Sequence, residues 1–250
     1  MMKNTIFLLA GSALWISASA GNVQIQVLDR DGKPVPDAVV VVYPSNSASS
    51  PPSLLQPSPT IEQEKMRFVP AVTVVEPGTT VRFTNQDRWD HHVRGAAAGL
   101  TAATAASGFE LRLAGKSEGK PASSAEVKLD AAGAVLLSCH LHGSMRGHIF
   151  VTDSPWAIKT DTDGIARFPA VPDGAAQVRV WHAEQLVDLP RKSLSVVPGP
   201  VLDTVQLSVV PRVRRAPPAA PGNNAPGGPM GGYSQAPAMG DGAEKLAHRH

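Results

Sequence analysis

The sequence predicts an all-β fold built from many short strands. Apolar, mostly β-branched residues alternate with polar ones over repeated short runs, the pattern of strands with one buried face. Turn-forming residues separate the runs, drawn from 22 Gly and 23 Pro in a chain of 250. Beyond the first twenty residues, no run repeats apolar residues at helical spacing for long enough to make an amphipathic helix.

The elements follow in chain order. In residues 1–20, Lys3 precedes a mostly apolar stretch from Thr5 to Ile16, and Ala18-Ser19-Ala20 supplies small residues for cleavage. That layout reads as a signal peptide, its apolar run short of the roughly 20 residues a membrane span needs. The mature chain is therefore expected from about Gly21, periplasmic or otherwise exported, with no membrane span of its own. Over 21–43, Val23, Ile25 and Val27 alternate before the turn Asp29-Arg30-Asp31-Gly32, and a second run covers Ala38 to Tyr43. Residues 44–60 form a Ser/Pro-rich connector unable to make a core.

Within 61–153, Val72–Val75 and Val81-Arg82-Phe83 flank Glu76-Pro77-Gly78 and predict a β-hairpin. Gly95 to Gly108 is rich in Ala, Gly and Thr and fits a loop or a short helix. Phe109–Leu113, Ala125–Leu129, Ala134–Ser138 and Gly147–Thr152 read as further strands. Over 154–210, turns at Thr162-Asp163-Gly164, Pro172-Asp173-Gly174 and Pro198-Gly199-Pro200 punctuate strands at Ile165–Phe168, Gln177–Trp181 and Val201–Val210. Residues 211–250, dominated by Pro, Gly and Ala, are predicted to be disordered.

Composition removes several functions. A formal net charge of +2 and 5% aromatic residues give no basic, aromatic-interleaved face, so no nucleic-acid partner is expected. No nucleophile elbow, phosphate-binding Gly loop or zinc-protease His-Glu-x-x-His helix occurs, and the chain reads as a non-enzyme. The single cysteine, Cys139, excludes an intrachain disulfide. In an exported chain an exposed free thiol is open to oxidation, so Cys139 is expected to be buried, linked to a second copy, or held by a metal.

Its neighbours favour the metal. The loop Cys139-His140-Leu141-His142-Gly143-Ser144-Met145 sets a thiol, two imidazoles and a thioether in one turn between two strands. Asp90-His91-His92-Val93 begins another strand upstream. Cys139, His142 and Met145 stand three apart, so a tight turn can fold them around one ion. His140, next to Cys139, points to the opposite face of an extended segment. One thiolate, two imidazoles and a weak thioether suit copper, whereas zinc takes four strong ligands and has little use for a thioether. A lone strand Cys is ordinarily a core residue, and Met145 reads equally as core filling; the joint spacing is what argues for a metal. His148 is placed on the outward face of its strand, and His248 and His250 on an exposed polar end.

At these residues the chain resembles the blue-copper cupredoxins, the plastocyanin, azurin and amicyanin group. The amicyanin-type loop has the Cys-x2-His-x2-Met spacing of Cys139, His142 and Met145. Val81-Arg82-Phe83-Thr84-Asn85-Gln86-Asp87, followed by His91-His92-Val93, is similar to the family's V-x-F-x-N-x-D…H-N-V stretch. The first His of that stretch is the family's ligand, which implies His91; His92 replaces the Asn that braces the metal loop. The resemblance implies a Greek-key cupredoxin sandwich over about 61–153 holding one type 1 copper ion with His91, Cys139, His142 and Met145.

A wider resemblance, to exported proteins of methylamine-utilisation type, covers Asp29 to Val39, Phe68-Val69-Pro70, Thr160 to Gly164 and Val180-Trp181-His182. It implies that 21–43 and 154–210 form a second small immunoglobulin- or prealbumin-like sandwich of carboxypeptidase-regulatory type, with the cupredoxin inserted in it or packed on it. The function implied is single-electron transfer with a redox partner such as a c-type cytochrome or an amine dehydrogenase. A copper storage, delivery or sensing module is the alternative, and a metal-free structural sandwich a third. Multicopper oxidases carry His-Cys-His; Ser138 precedes Cys139 here, which argues against oxygen reduction.

Overall fold

The computed structural model describes residues 20–46, 53–98 and 108–212. The signal-peptide expectation for 1–20, parts of the 44–60 connector and of Gly95–Gly108, and the 211–250 tail fall mostly outside the described residues. Among those described there is no helix, so none that could cross a membrane.

The strands are β1 (Ala20–Leu28), β2 (Val39–Pro44), β3 (Thr60–Glu64), β4 (Arg67–Val69), β5 (Val72–Val75), β6 (Thr79–Asn85), β7 (His91–Ala97) and β8 (Phe109–Leu113). There follow β9 (Ser124–Leu129), β10 (Gly133–Cys139), β11 (Arg146–Val151), β12 (Trp156–Lys159), β13 (Ile165–Pro172), β14 (Gly174–Trp181), β15 (Lys192–Val196) and β16 (Gly199–Gln206). The all-β expectation holds. They form four sheets, ordered β13-β1-β16, β12-β2-β14-β15, β5-β11-β10-β7-β8 and β4-β3-β6-β9.

Three hydrophobic cores fall between successive sheets, so the layers stack in that order. Val23, Ile25 and Phe168 of the first sheet meet Val40, Val42 and Val178 of the second. Val39, Val41 and Trp181 of the second meet Val72, Ala134 and Phe150 of the third. Val93, Val135, Leu137, Cys139 and Ile149 of the third meet Ile61, Val81 and Phe83 of the fourth. The unbroken run Val39–Val42 now has a cause. Alternation sends Val40 and Val42 one way and Val39 and Val41 the other, and both faces of that sheet are covered.

In sequence, β3–β11 lies wholly between β2 and β12, so one two-sheet sandwich is inserted in another. The outer sandwich is closed by β16, which runs parallel to β1 from Gly21↔Gly199 to Leu28↔Gln206.

Two expectations change. β5 and β6 are not a hairpin: β5 pairs in parallel with β11, and β6 pairs with β3 and β9 in the facing sheet. The Glu76-Pro77-Gly78 turn is present but carries the chain from one sheet to the other. His148 does point away from the inner core, yet it is half-buried, because Trp181 of the neighbouring sandwich lies 5.5 Å from its ring. Phe68, expected only as part of a lead-in segment, is buried against Gly147, where an added Cβ would come within 2.9 Å of the Phe68 Cβ.

Candidate metal centre

Strand alternation and one turn build the site. On β7, His91 and Val93 face the core between the third and fourth sheets, and on β10 Leu137 and Cys139 do the same. The ladder pairs Cys139 with Val93, bringing the thiol beside His91 although 48 residues separate them in sequence. After Cys139 the chain leaves β10 and turns: the Met145 N–H donates to the His142 carbonyl at 3.0 Å, with Gly143-Ser144 between them. That closure returns His142 over Cys139 and drops Met145 into the core, 1% exposed.

Three donor atoms converge. Cys139 Sγ lies 3.6 Å from His91 Nδ1 and 3.5 Å from His142 Nδ1, and the two nitrogens are 3.1 Å apart. The circumradius of a triangle with these edges is about 2.0 Å, the length of a metal–imidazole bond and a little under a metal–thiolate bond. Among the described residues this is the one group of three or more His, Cys, Asp or Glu side chains whose ligand atoms are already gathered, all within 4.8 Å of one another.

The protonation pattern matches that use. Asp87 Oδ2 lies 3.0 Å from His91 Nε2, and Asp87 also accepts the Lys65 N–H at 2.7 Å and the Met66 N–H at 2.9 Å. Burial pushes the Asp87 carboxyl up, but the hydrogen bonds from Met66, His91 and Lys65 outweigh it and hold the group below the usual carboxylate range. An ionised carboxylate only accepts, so His91 Nε2 carries the donated proton. In the neutral ring Nδ1 is then a bare lone pair aimed at the other two donors. Cys139 Sγ and His142 Nδ1 lie 3.6 and 3.1 Å from that atom, close enough for all three to hold one cation.

Asp87 and nearby Asn85 stand in the cupredoxin-like stretch of the sequence, which assigned neither of them a role at the site. Asn85 is fully buried; its amide donates to the carbonyls of Trp89, Leu113 and Ala114, and its Oδ1 accepts the Asp87 N–H at 2.9 Å. This network fixes the β6–β7 loop that delivers His91. It also offsets strain, since Lys65 and Met66 both have left-handed φ, 51° and 58°, in the two-residue turn joining β3 to β4. The signal was the polar pair Asn85 and Asp87 spaced two apart at a strand end, with His91 four residues beyond Asp87.

The other histidines stand elsewhere. His92 turns outward, with Nε2 3.2 Å from Glu110 Oε2, and its carbonyl accepts the His140 N–H at 2.9 Å. The link between the metal loop and β7 therefore runs through backbone at this position. His140 is exposed beside His92, and His182 is buried in the flanking sandwich, accepting the Glu184 N–H. His248 and His250 lie outside the described residues.

Residues 56–152 match the model of the plastocyanin/azurin family of copper-binding proteins. No curated protein matches the chain. Among solved structures, amicyanin from Paracoccus versutus is 19% identical, covering 45% of this chain and 97% of its own, with a TM-score of 0.31. A pseudoazurin from Sinorhizobium meliloti is 24% identical over 39% of this chain and 75% of its own, with a TM-score of 0.29. The copper-containing nitrite reductase of Thermus scotoductus is 20% identical over 44% of this chain, with a TM-score of 0.31, and the chain spans only 25% of that enzyme. The family match and the two-imidazole, one-thiolate donor set agree: this is a site for one copper ion.

Proposed function

We propose that the protein is an exported type 1 copper protein that carries single electrons between redox partners. His91, Cys139 and His142 would hold the ion as its strong ligands, and Met145, buried in the same core cluster as Cys139, would supply a weak thioether. The observation that carries the reading is the convergence of one thiolate and two imidazoles at 3.1–3.6 Å inside a β frame that already holds them. Bound copper supplies one-electron exchange between Cu(I) and Cu(II). The chain's part is to keep the donor set unchanged between those states.

Each residue serves that end. The Cys139 thiolate and Met145 thioether suit Cu(I), and the imidazoles suit both states. Asp87 holds the His91 ring from behind, so its Nδ1 cannot swing away. Val93, Leu137 and Ile149 pack around Cys139 and exclude water. His142 is half-buried next to Leu141, which is 56% exposed, so the ring edge and an apolar side chain reach the surface together. That edge is where a redox protein, of the c-type cytochrome or amine dehydrogenase kind that the family resemblance implies, would make contact. Export to the periplasm rests on the residue 1–20 pattern alone.

The test is optical. With one equivalent of Cu(II), the protein should show an intense thiolate-to-copper band, bleach on reduction and recover on reoxidation with the metal retained. Cys139→Ser should abolish the band. A colourless wild-type complex would sink the reading, and quantitative release of copper on reduction would favour a delivery role instead.

A further inference from the structure

Beside each of two inner ligands stands a second histidine one residue away: His92 follows His91 on β7, and His140 follows Cys139 just past the end of β10. Alternation sends neighbours to opposite faces, so inward His91 and Cys139 require outward His92 and His140. The ladder sets these two opposite each other, since Cys139 pairs with Val93 and the His140 N–H donates to the His92 carbonyl. Directly opposed residues hold their Cβ atoms about 5 Å apart. The rings meet edge to face with centroids at 5.7 Å and planes at 62°. The inner pair, His91 and His142, stands at 4.8 Å and 66°.

A third donor comes from β8. Glu110 pairs with Arg94 and so lies diagonal to His92; its Oε2 is 3.2 Å from His92 Nε2 while its Oε1 accepts from Arg94 Nε at 2.8 Å. Arg94 thereby holds the carboxylate with one oxygen turned to the histidine. A cavity of about 440 Å³, whose walls include Asp90, His92 and His140, opens beside the pair.

We propose that His92, His140 and Glu110 form a second, solvent-facing site for a divalent transition-metal ion of the class that takes imidazole and carboxylate together, Zn(II), Ni(II) or Cu(II). The site uses no thiolate and does not depend on which ion occupies the inner centre. It is more open than the inner one, whose three donor atoms all lie within 4.8 Å of one another. His140, exposed at the start of the loop, is the side chain that turns to close it. An ion held there ties the loop to β7 and β8 and stiffens the turn that presents His142.

The experiment titrates Ni(II) into full-length protein already loaded with one equivalent of copper, read by calorimetry, with the visible spectrum followed in parallel. One further equivalent should bind without loss of the copper band, and His140→Ala and His92→Gln should each weaken it at least tenfold. Both variants replace side chains outside the inner core, and circular dichroism checks that each folds as wild type does. Absence of a second equivalent, or a loss below tenfold in either variant (as binding at His248 and His250 would give), overturns the proposal. A missing copper band bears on the inner site alone, because the variant comparison still reads the outer one.

Discussion

Both sandwiches bury polar side chains, and the use made of them differs. In the flanking sandwich each serves the backbone beside it. Asp29 accepts the Asp31 and Lys33 N–H groups, both at 2.8 Å, and so shapes the turn after β1. Thr160 bridges the Ala38 N–H and the Val35 carbonyl. In the inserted sandwich Asp87 does the same for the Lys65-Met66 turn, but its carboxylate also faces His91. A turn-capping carboxylate becomes part of a metal site when one more acceptor position faces a ligand. The inserted sandwich thus carries function on the same kind of loop anchor that its neighbour uses only for shape.

The largest expected effect comes from breaking the flanking core. Phe168, 1% exposed, packs between the first two sheets, away from the layer that holds Cys139. Phe168→Ala should cost about 3–5 kcal/mol in denaturant unfolding. The copper band per folded molecule should stay unchanged. A band lost in step with stability would mean that the two sandwiches are not separable in this way.

A smaller change sharpens the contrast. Asp87→Asn sets an amide NH2 against the Lys65 or the Met66 N–H, because both carboxylate oxygens accept there, and Asp29→Ala removes the one oxygen that accepts both the Asp31 and Lys33 N–H groups. Each should lose about 1–3 kcal/mol. Only Asp87→Asn should also alter the copper centre, seen as a shifted visible band and changed Cu(II) hyperfine coupling in electron paramagnetic resonance. Equal spectra for the two variants would remove Asp87 from its positioning role.

The smallest effect is a pH dependence in the flanking sandwich. The Ile165 N–H, then the Arg167 guanidinium, hold the Asp161 carboxyl below the usual carboxylate range. A carboxyl depressed on folding contributes stability that is complete above its unfolded pKa and is lost as pH falls through its folded one. Acid titration of stability should therefore be slightly flatter in Asp161→Asn than in wild type. The copper spectrum at neutral pH should be the same in both.

Much of this was legible in the chain because strand alternation and turn chemistry are local. Val23, Ile25 and Val27 point inward as their spacing requires, and the side chains of Cys139 and His142, spaced for a tight turn, do meet. The Val72–Val75 and Val81–Phe83 pairing failed because Glu76-Pro77-Gly78 specifies a turn, not the sheet each strand joins afterwards. β3 escaped notice because Glu62, Gln63 and Glu64 break the apolar alternation that marks a strand, although Gln63 is buried with its amide on the Ile61 carbonyl. Asp87 gave no local sign of its reach, since its partners Lys65 and Met66 lie more than 20 residues away.

The sequence by itself determined the strand-rich class, the turns, and which residue types could bind copper, because each follows from side-chain periodicity, backbone preference and donor chemistry within a few residues. Only the tertiary structure decided the four-layer order and the meeting of His91 with Cys139. It alone placed Asp87 behind His91 and Trp181 over His148. These depend on ladder register and sheet packing between segments far apart in the chain, where no local spacing carries the information.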